Sequence, residues 1–205
     1  MNRKVVIAGI GTEIGKTISS AIIVKNLQAD YWKPIQSGFP EDSDVRTVLD
    51  LSNSKDSNIH PSIYNLKAPL SPHSAAELEG IEIRLENFNL PDTNNSLVVE
   101  LAGGILVPLN KKETNLDLLK KWNLPVILVS KTYLGSINHT LLSFEILKSN
   151  NIPIMGLIVN GEKNESAQRF ISNYTHLPII CEINLESNWT PELIENYAKS
   201  VIWPA

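Results

Sequence analysis

Six short apolar runs separated by helix-like stretches, with a glycine-rich turn ending the first run, predict an α/β chain. Its expected architecture is a mostly parallel sheet with helices on both faces. The runs cover 5–9, 31–34, 97–101, 125–130, 154–159 and 178–181. They are rich in Val, Ile and Leu and do not alternate with polar residues, as strands buried on both faces should read. Ligands of such sheets gather at the C-terminal ends of the strands. The residues after each run therefore carry the chemical information. A length of 205 residues suits a single domain over 1–205.

The first run leads into Gly9, Gly11 and then Gly15-Lys16-Thr17, which opens a helix over 16–28. Glycines let successive backbone N–H groups turn toward one anion, and the helix adds its positive end. This is a phosphate-binding loop, or P-loop, although Ile10 stands where the strict motif has a glycine. Lys16 is placed to reach the outer phosphates of a nucleoside triphosphate, and the Thr17 hydroxyl to hold Mg²⁺.

The second run ends at Lys33-Pro34, where proline stops the strand. Lys33 is either a contact for a terminal phosphate or a carboxylated substrate, or a solvated surface lysine. Glu41, Asp42 and Asp44 open a helix over 43–51. They suit helix capping or an approach to Mg²⁺, and the local pattern does not separate Asp42 from Asp44. The stretch 53–69 reads as loop. Ser71-Pro72 is an N-cap followed by a first-turn proline, starting a helix over 71–78. His73 is most simply a surface residue of that turn.

The third run ends in Glu100-Leu101-Ala102-Gly103-Gly104. A carboxylate at the end of a buried strand beside a P-loop resembles the second Mg²⁺ anchor of such enzymes, or the strand simply ends in an exposed glutamate. A helix over 116–122 follows. After the fourth run, Leu134-Gly135-Ser136-Ile137-Asn138-His139 opens a helix over 137–149. Its free N–H groups suit a carboxylate-bearing ligand, or the segment is a routine glycine turn. Asn160-Gly161 closes the fifth run. The Asn160 amide can read a purine edge, or the pair is a turn. Helices over 166–174 and 191–199 complete the pattern.

A net charge of −4 with scattered lysines and arginines disfavours a nucleic-acid partner. The chain shows neither a signal peptide nor a membrane span, and the lone Cys181 fits a reducing compartment. The expectation is a cytoplasmic protein with no membrane partner.

Taken in order, these fragments resemble the dethiobiotin synthetase family over most of the chain. They are Gly9 with Thr12 through Thr17, Lys33-Pro34 with Ser37-Gly38, Asp44, Ser71-Pro72-His73, Glu100 with Ala102-Gly103-Gly104, Leu134-Gly135 with Ile137-Asn138-His139, and Asn160. The resemblance implies a single-domain P-loop fold acting as a homodimer. It implies ATP-dependent carboxylation and ring closure of 7,8-diaminononanoate with CO₂ to give dethiobiotin, ADP and phosphate. Glu13, Ile14, Gly15, Lys16, Thr17 and Ile18 would cradle the nucleotide, with Leu101, Ala102 and Gly103 nearby. Thr17, Asp44 and Glu100 would hold Mg²⁺, and Lys16 and Lys33 would be catalytic. Ser37 and the segment Gly135, Ser136, Ile137 and Asn138 would contact the diamine, the segment from across the dimer. Asn160, Gly161 and Asn184 would lie at the base.

Two departures stand out. Leu101 replaces a family glycine, which adds bulk beside the phosphates and leaves the local backbone path open. Gly161 replaces a family aspartate, which weakens strict ATP selectivity. Two rivals fit less well. A corrinoid-amidating ligase domain would bring a glutaminase cysteine, and Cys181 lacks that context. A partition-type ATPase switch would place a lysine where Gly11 stands.

Overall fold

A computed structural model describes residues 2–41 and 43–204. Its order is β1 (Lys4–Gly9), α1 (Lys16–Leu27), β2 (Asp30–Trp32), β3 (Ile35–Ser37), α2 (Asp44–Ser52), β4 (Ile59–His60), β5 (Tyr64–Leu66), α3 (Pro72–Leu78), β6 (Leu97–Gly104), α4 (Asn115–Trp122), β7 (Val126–Lys131), α5 (Ser136–Ser149), β8 (Ile154–Asn160), α6 (Glu165–Thr175), β9 (Ile179–Ile183) and α7 (Pro191–Lys199). Seven strands form one sheet in the order β4-β2-β6-β1-β7-β8-β9, with every pairing parallel. β1 lies at its centre, so the loop after β1 opens where the strand order reverses.

Alternation along the strands builds two cores. Val6 and Ala8 of β1 join Leu97, Val99, Leu118 and Leu128 on one face. Val5 and Ile7 join Ile22, Ile23, Val98 and Ile194 on the other. Helix ends follow their capping chemistry. Ser43 accepts a hydrogen bond from the Arg46 N–H, and Thr114 and Asp117 form a reciprocal capping box. Ser71 takes the N-cap position before Pro72, but its hydroxyl bonds His73 and Ser74 rather than the backbone.

The structure corrects the reading of 53–69 as loop. β4 pairs with β2, and β5 pairs with β3 in a separate two-stranded sheet. β3, β4 and β5 have two or three residues each, and no apolar run like the one at β2 announces them. β6 also runs three residues beyond its predicted end, to Gly104. Between the pairs Ile7–Glu100 and Gly9–Gly104 its register slips, which folds the glycines against the loop after β1.

Leu101 is a second correction. It is 1% exposed and belongs to the core with Val99 and Leu118, on the face opposite Glu100. Its bulk therefore lies away from the crevice. Among the described residues no helix is long and apolar enough to cross a membrane.

Truncating Leu101 to alanine should leave a cavity in this core and cost about 2–5 kcal/mol, measured as a lower urea midpoint at unchanged slope.

Candidate active site

The ends of β1, β2, β3 and β6 surround one crevice of about 1130 Å³. Its floor is the loop from Thr12 to Thr17. Glu13 and Gly15 adopt left-handed conformations, with φ of 56° and 91°. At Gly15 the constraint is doubled, because a Cβ would stand 1.8 Å from Asn160 Nδ2. That amide instead donates to the Ile14 carbonyl at 2.9 Å, tying the end of β8 to the loop. Lys16 folds back and donates to the Gly11 carbonyl at 2.8 Å. Burial drives its ammonium down to about 8, opposed by Glu100 and assisted by Lys33. A cation held this way gains most from an anion placed beside it.

The crevice wall is a cluster of charges. Lys33, expected either at a ligand or in solvent, is only 4% exposed. It pairs with Asp44 and, at 2.8 Å, with Glu100 Oε1. Burial alone would lower the Lys33 pKa, but the two carboxylates outweigh it and raise it above its ordinary value. Burial likewise pushes Asp44 up, and Lys33, Thr17 and Gln36 together bring it below its ordinary value. Thr17 Oγ1 lies 2.5 Å from Asp44 Oδ1 and 3.3 Å from Glu100 Oε1. The Asp44 N–H donates to Gln36 Oε1 at 3.2 Å, which fixes the start of α2 against β3. Asp42 lies outside the described residues.

One hydroxyl and two carboxylates thus converge, all hard oxygen donors of the kind Mg²⁺ takes. Lys33 already holds a positive charge between the same two carboxylates, so the donor set fits a cation. Among the described residues no group of three or more His, Cys, Asp or Glu side chains could hold a metal.

Ile18, Ser37, Ala102 and Gly103 also line the crevice. Ser37 Oγ is buried and has no hydrogen-bond partner among the described residues. Gly103 has φ of 70°, and a Cβ there would meet Val107 at 2.8 Å. Other expected residues lie elsewhere. Gly161 and Ile183, which precedes Asn184, are joined by a 2.9 Å backbone hydrogen bond at the ends of β8 and β9. Gly135, Ser136, Ile137 and Asn138 at the start of α5 do not line this crevice. Leu134 beside them is fully exposed. His73 bonds Ser71 and Ser74.

Sequence reasoning missed Ser20 and Tyr31, which both donate to Glu100 Oε2, at 2.6 and 2.9 Å. Burial and the adjacent carboxylate push the Tyr31 phenol well above its usual value, so it remains a donor. The available signal was a polar pair, Ser19-Ser20, between Ile18 and the apolar stretch Ala21 to Val24. Asn115 was also missed. It donates to the carbonyls of Ala102 and Gly104 at 2.7 and 2.8 Å and pins the glycine turn.

Residues 3–192 match a family model described as an AAA domain. The chain is 47% identical to the ATP-dependent dethiobiotin synthetase BioD of Cytophaga hutchinsonii, over 96% of this chain and 95% of that protein. It is 40% identical to the enzyme of the same name from Brucella ovis, over 96% and 92%. Among solved structures, the cell division ATPase MinD of Pyrococcus furiosus matches with a TM-score of 0.58 at 13% identity, over 98% of this chain and 89% of that one. A ParA family ATPase from Chlorobium tepidum matches at 0.55 and 14%, over 97% and 98%. These two establish likeness of fold.

Replacing Lys33 by methionine strands Asp44 and Glu100 in a buried wall, and should cost about 3–5 kcal/mol at neutral pH. In the parent, Asp44 sits below its ordinary 3.8. Its contribution is therefore complete above that value and disappears as pH falls through the folded pKa. In the variant burial dominates and the carboxyl shifts upward, so part of the deficit should return as the solution is acidified. Urea titrations of both proteins between neutral pH and about pH 4 would show the two slopes diverging.

Proposed function

This chain belongs to the ATP-dependent dethiobiotin synthetase family, and on that premise we propose that the crevice above β1 and β6 is where its ring closure takes place. The observation that carries this reading is the convergence of Lys16, Thr17, Lys33, Asp44 and Glu100, from four separate segments, on one space. The reaction joins two amines through one carbon. One amine of 7,8-diaminononanoate adds to CO₂ and loses a proton, giving a carbamate. A carbamate oxygen then takes the γ-phosphoryl group as its bond to ADP breaks. The second amine attacks the carbonyl carbon and loses a proton, the carbon–oxygen bond to phosphate breaks, and a cyclic urea remains.

The difficulty is bringing two anions, carbamate and triphosphate, into contact. Lys16, at the start of α1, would hold the outer phosphates. Lys33, on the same wall, would face the carbamate and the transferring phosphoryl group, offsetting charge that develops there. Ser37 Oγ would hydrogen-bond the diamine. Thr17, Asp44 and Glu100 would hold Mg²⁺, which supplies charge neutralisation of the phosphates when bound. Glu13, Ile14 and Gly15 would offer backbone N–H groups, and Asn160 with Asn184 would lie beside the base. Without a carboxylate at Gly161, base selection would be relaxed.

Gly135, Ser136, Ile137 and Asn138 would contact the diamine's carboxylate from a second copy of the chain. Their position outside this crevice and the exposed Leu134 and Leu142 support a homodimer. The 205 residues would work as one domain, in the cytoplasm. The partition-ATPase reading rests on fold likeness alone, and Gly11 stands where its lysine would be.

Lys33→Ala should lower kcat roughly 10²–10³-fold while nucleotide still binds. Dethiobiotin assayed by mass spectrometry after incubation with diamine, bicarbonate, Mg²⁺ and ATP would test this, and omission of any one component should abolish the product. Retention of wild-type-like turnover would remove Lys33 from the mechanism.

Because Lys16 rests near 8, phosphate arriving beside it should raise its pKa and draw a proton from solution. Calorimetry in buffers of different ionisation enthalpy should register proton uptake on nucleotide binding at about pH 8.5 and almost none near neutrality. Lys16→Gln should show none at either pH.

A further inference from the structure

Glu100 uses its two oxygens differently. Oε1 faces the crevice, 2.8 Å from Lys33 Nζ and 3.3 Å from Thr17 Oγ1. Oε2 faces inward and receives Ser20 Oγ at 2.6 Å and Tyr31 Oη at 2.9 Å. Both hydroxyl-bearing residues are completely buried, and Glu100 is 1% exposed. Neither hydroxyl is needed by its own element. Tyr31 packs with Ile23, Val48 and Val98, where the ring alone would fill the space and a lone phenolic O–H would be costly. Ser20 interrupts the apolar run of α1. Its neighbour Ser19 bonds back to the Gly15 carbonyl of the same helix at 2.9 Å, whereas Ser20 sends its hydroxyl across to the carboxylate.

We propose that Tyr31 and Ser20 are positioning residues that hold Oε2 of Glu100 in the interior, so that Oε1 alone is presented to the divalent cation. The inference rests on the reading of Glu100 as a Mg²⁺ ligand and adds what makes it an effective one. A carboxylate with two free oxygens can turn about its terminal torsion or swing between partners. Two donors on one oxygen lock that torsion and saturate its accepting capacity. Because both donors are neutral, they orient the carboxylate without competing for the charge that the cation needs. Outer partners of this kind typically change metal affinity 10–100-fold.

The test uses the full chain with Mn²⁺ as the probe, titrated by electron paramagnetic resonance in the presence of a non-hydrolysable ATP analogue. Tyr31→Phe keeps the ring and removes one oxygen, and Ser20→Ala removes the other donor. Each should weaken Mn²⁺ binding roughly tenfold or more, and the double variant further. Affinity for the nucleotide analogue in EDTA should stay within about twofold of the parent, by the same positioning argument. Parental Mn²⁺ affinity in the folded single variants would overturn the proposal, as would an equal loss of metal-free nucleotide binding, which marks a purely structural role. Should Tyr31→Phe not fold, Ser20→Ala carries the same two outcomes. Glu100→Gln separates the layers. If it binds Mn²⁺ like the parent, Glu100 is not a ligand and both readings fall. If it loses Mn²⁺ while Tyr31→Phe and Ser20→Ala keep it, only the positioning role falls.

Discussion

A glutamate buried to 1% exposure at the centre of a parallel sheet is tenable only if its charge is answered on the spot. Glu100 is answered by Lys33 at 2.8 Å and by hydroxyls of Ser20 and Tyr31. Much of the site's geometry follows. Lys33 can be buried because it meets two carboxylates. Asp44 is drawn from the start of α2 onto the end of β2 because Lys33 is there. Thr17, at the start of α1, completes the cluster by bonding both acids. The charge network thereby ties three segments, far apart in sequence, to the strand ends beside β1.

The sheet makes that arrangement cheap. In a parallel sheet with β1 at its centre, the segments leaving β1, β2 and β6 emerge on one edge. Helix α1 then supplies N–H groups where the phosphate loop ends. The register slip between β1 and β6 brings Gly104 against Gly11 with no side chain between, and Asn115 holds that turn from below. Rigid strands and one pinned turn fix the distances, so the loop itself can remain rich in glycine without losing its shape.

Much of this was legible in the sequence because it obeys local rules. Gly15-Lys16-Thr17 after a buried run has few alternative meanings, and Glu100 followed by glycines extends the pattern. The long strands and all seven predicted helices appear because each carries enough residues to show a period. What escaped depends on distance in sequence. Nothing near Lys33 says that Asp44 and Glu100 will enclose it, so local reasoning could not separate a buried lysine from a solvated one. Tyr31 reads as an ordinary core aromatic until the partner of its hydroxyl is known. β3, β4 and β5 are two or three residues long and owe their existence to neighbours rather than to their own pattern. Leu101 shows the reverse case. A local comparison suggested crowding at the phosphates, but strand alternation turns the side chain into the opposite core.

The pairing of charges also bears on how such a site handles its ligands. Two lysines, 16 and 33, share one wall with two carboxylates, 44 and 100, in partly dehydrated surroundings. A cation arriving alone meets carboxylates already satisfied by Lys33, and an anion arriving alone meets Lys16, held to the Gly11 carbonyl, while Lys33 stays committed to the carboxylates. Arriving together, a cation can take the carboxylates while the freed Lys33 ammonium joins Lys16 in taking the anion. Each exchange then leaves no charge unpaired, which is the condition that low-dielectric sites enforce most strictly. On the proposed reading, a wall built this way would favour a metal and a polyanion jointly over either alone.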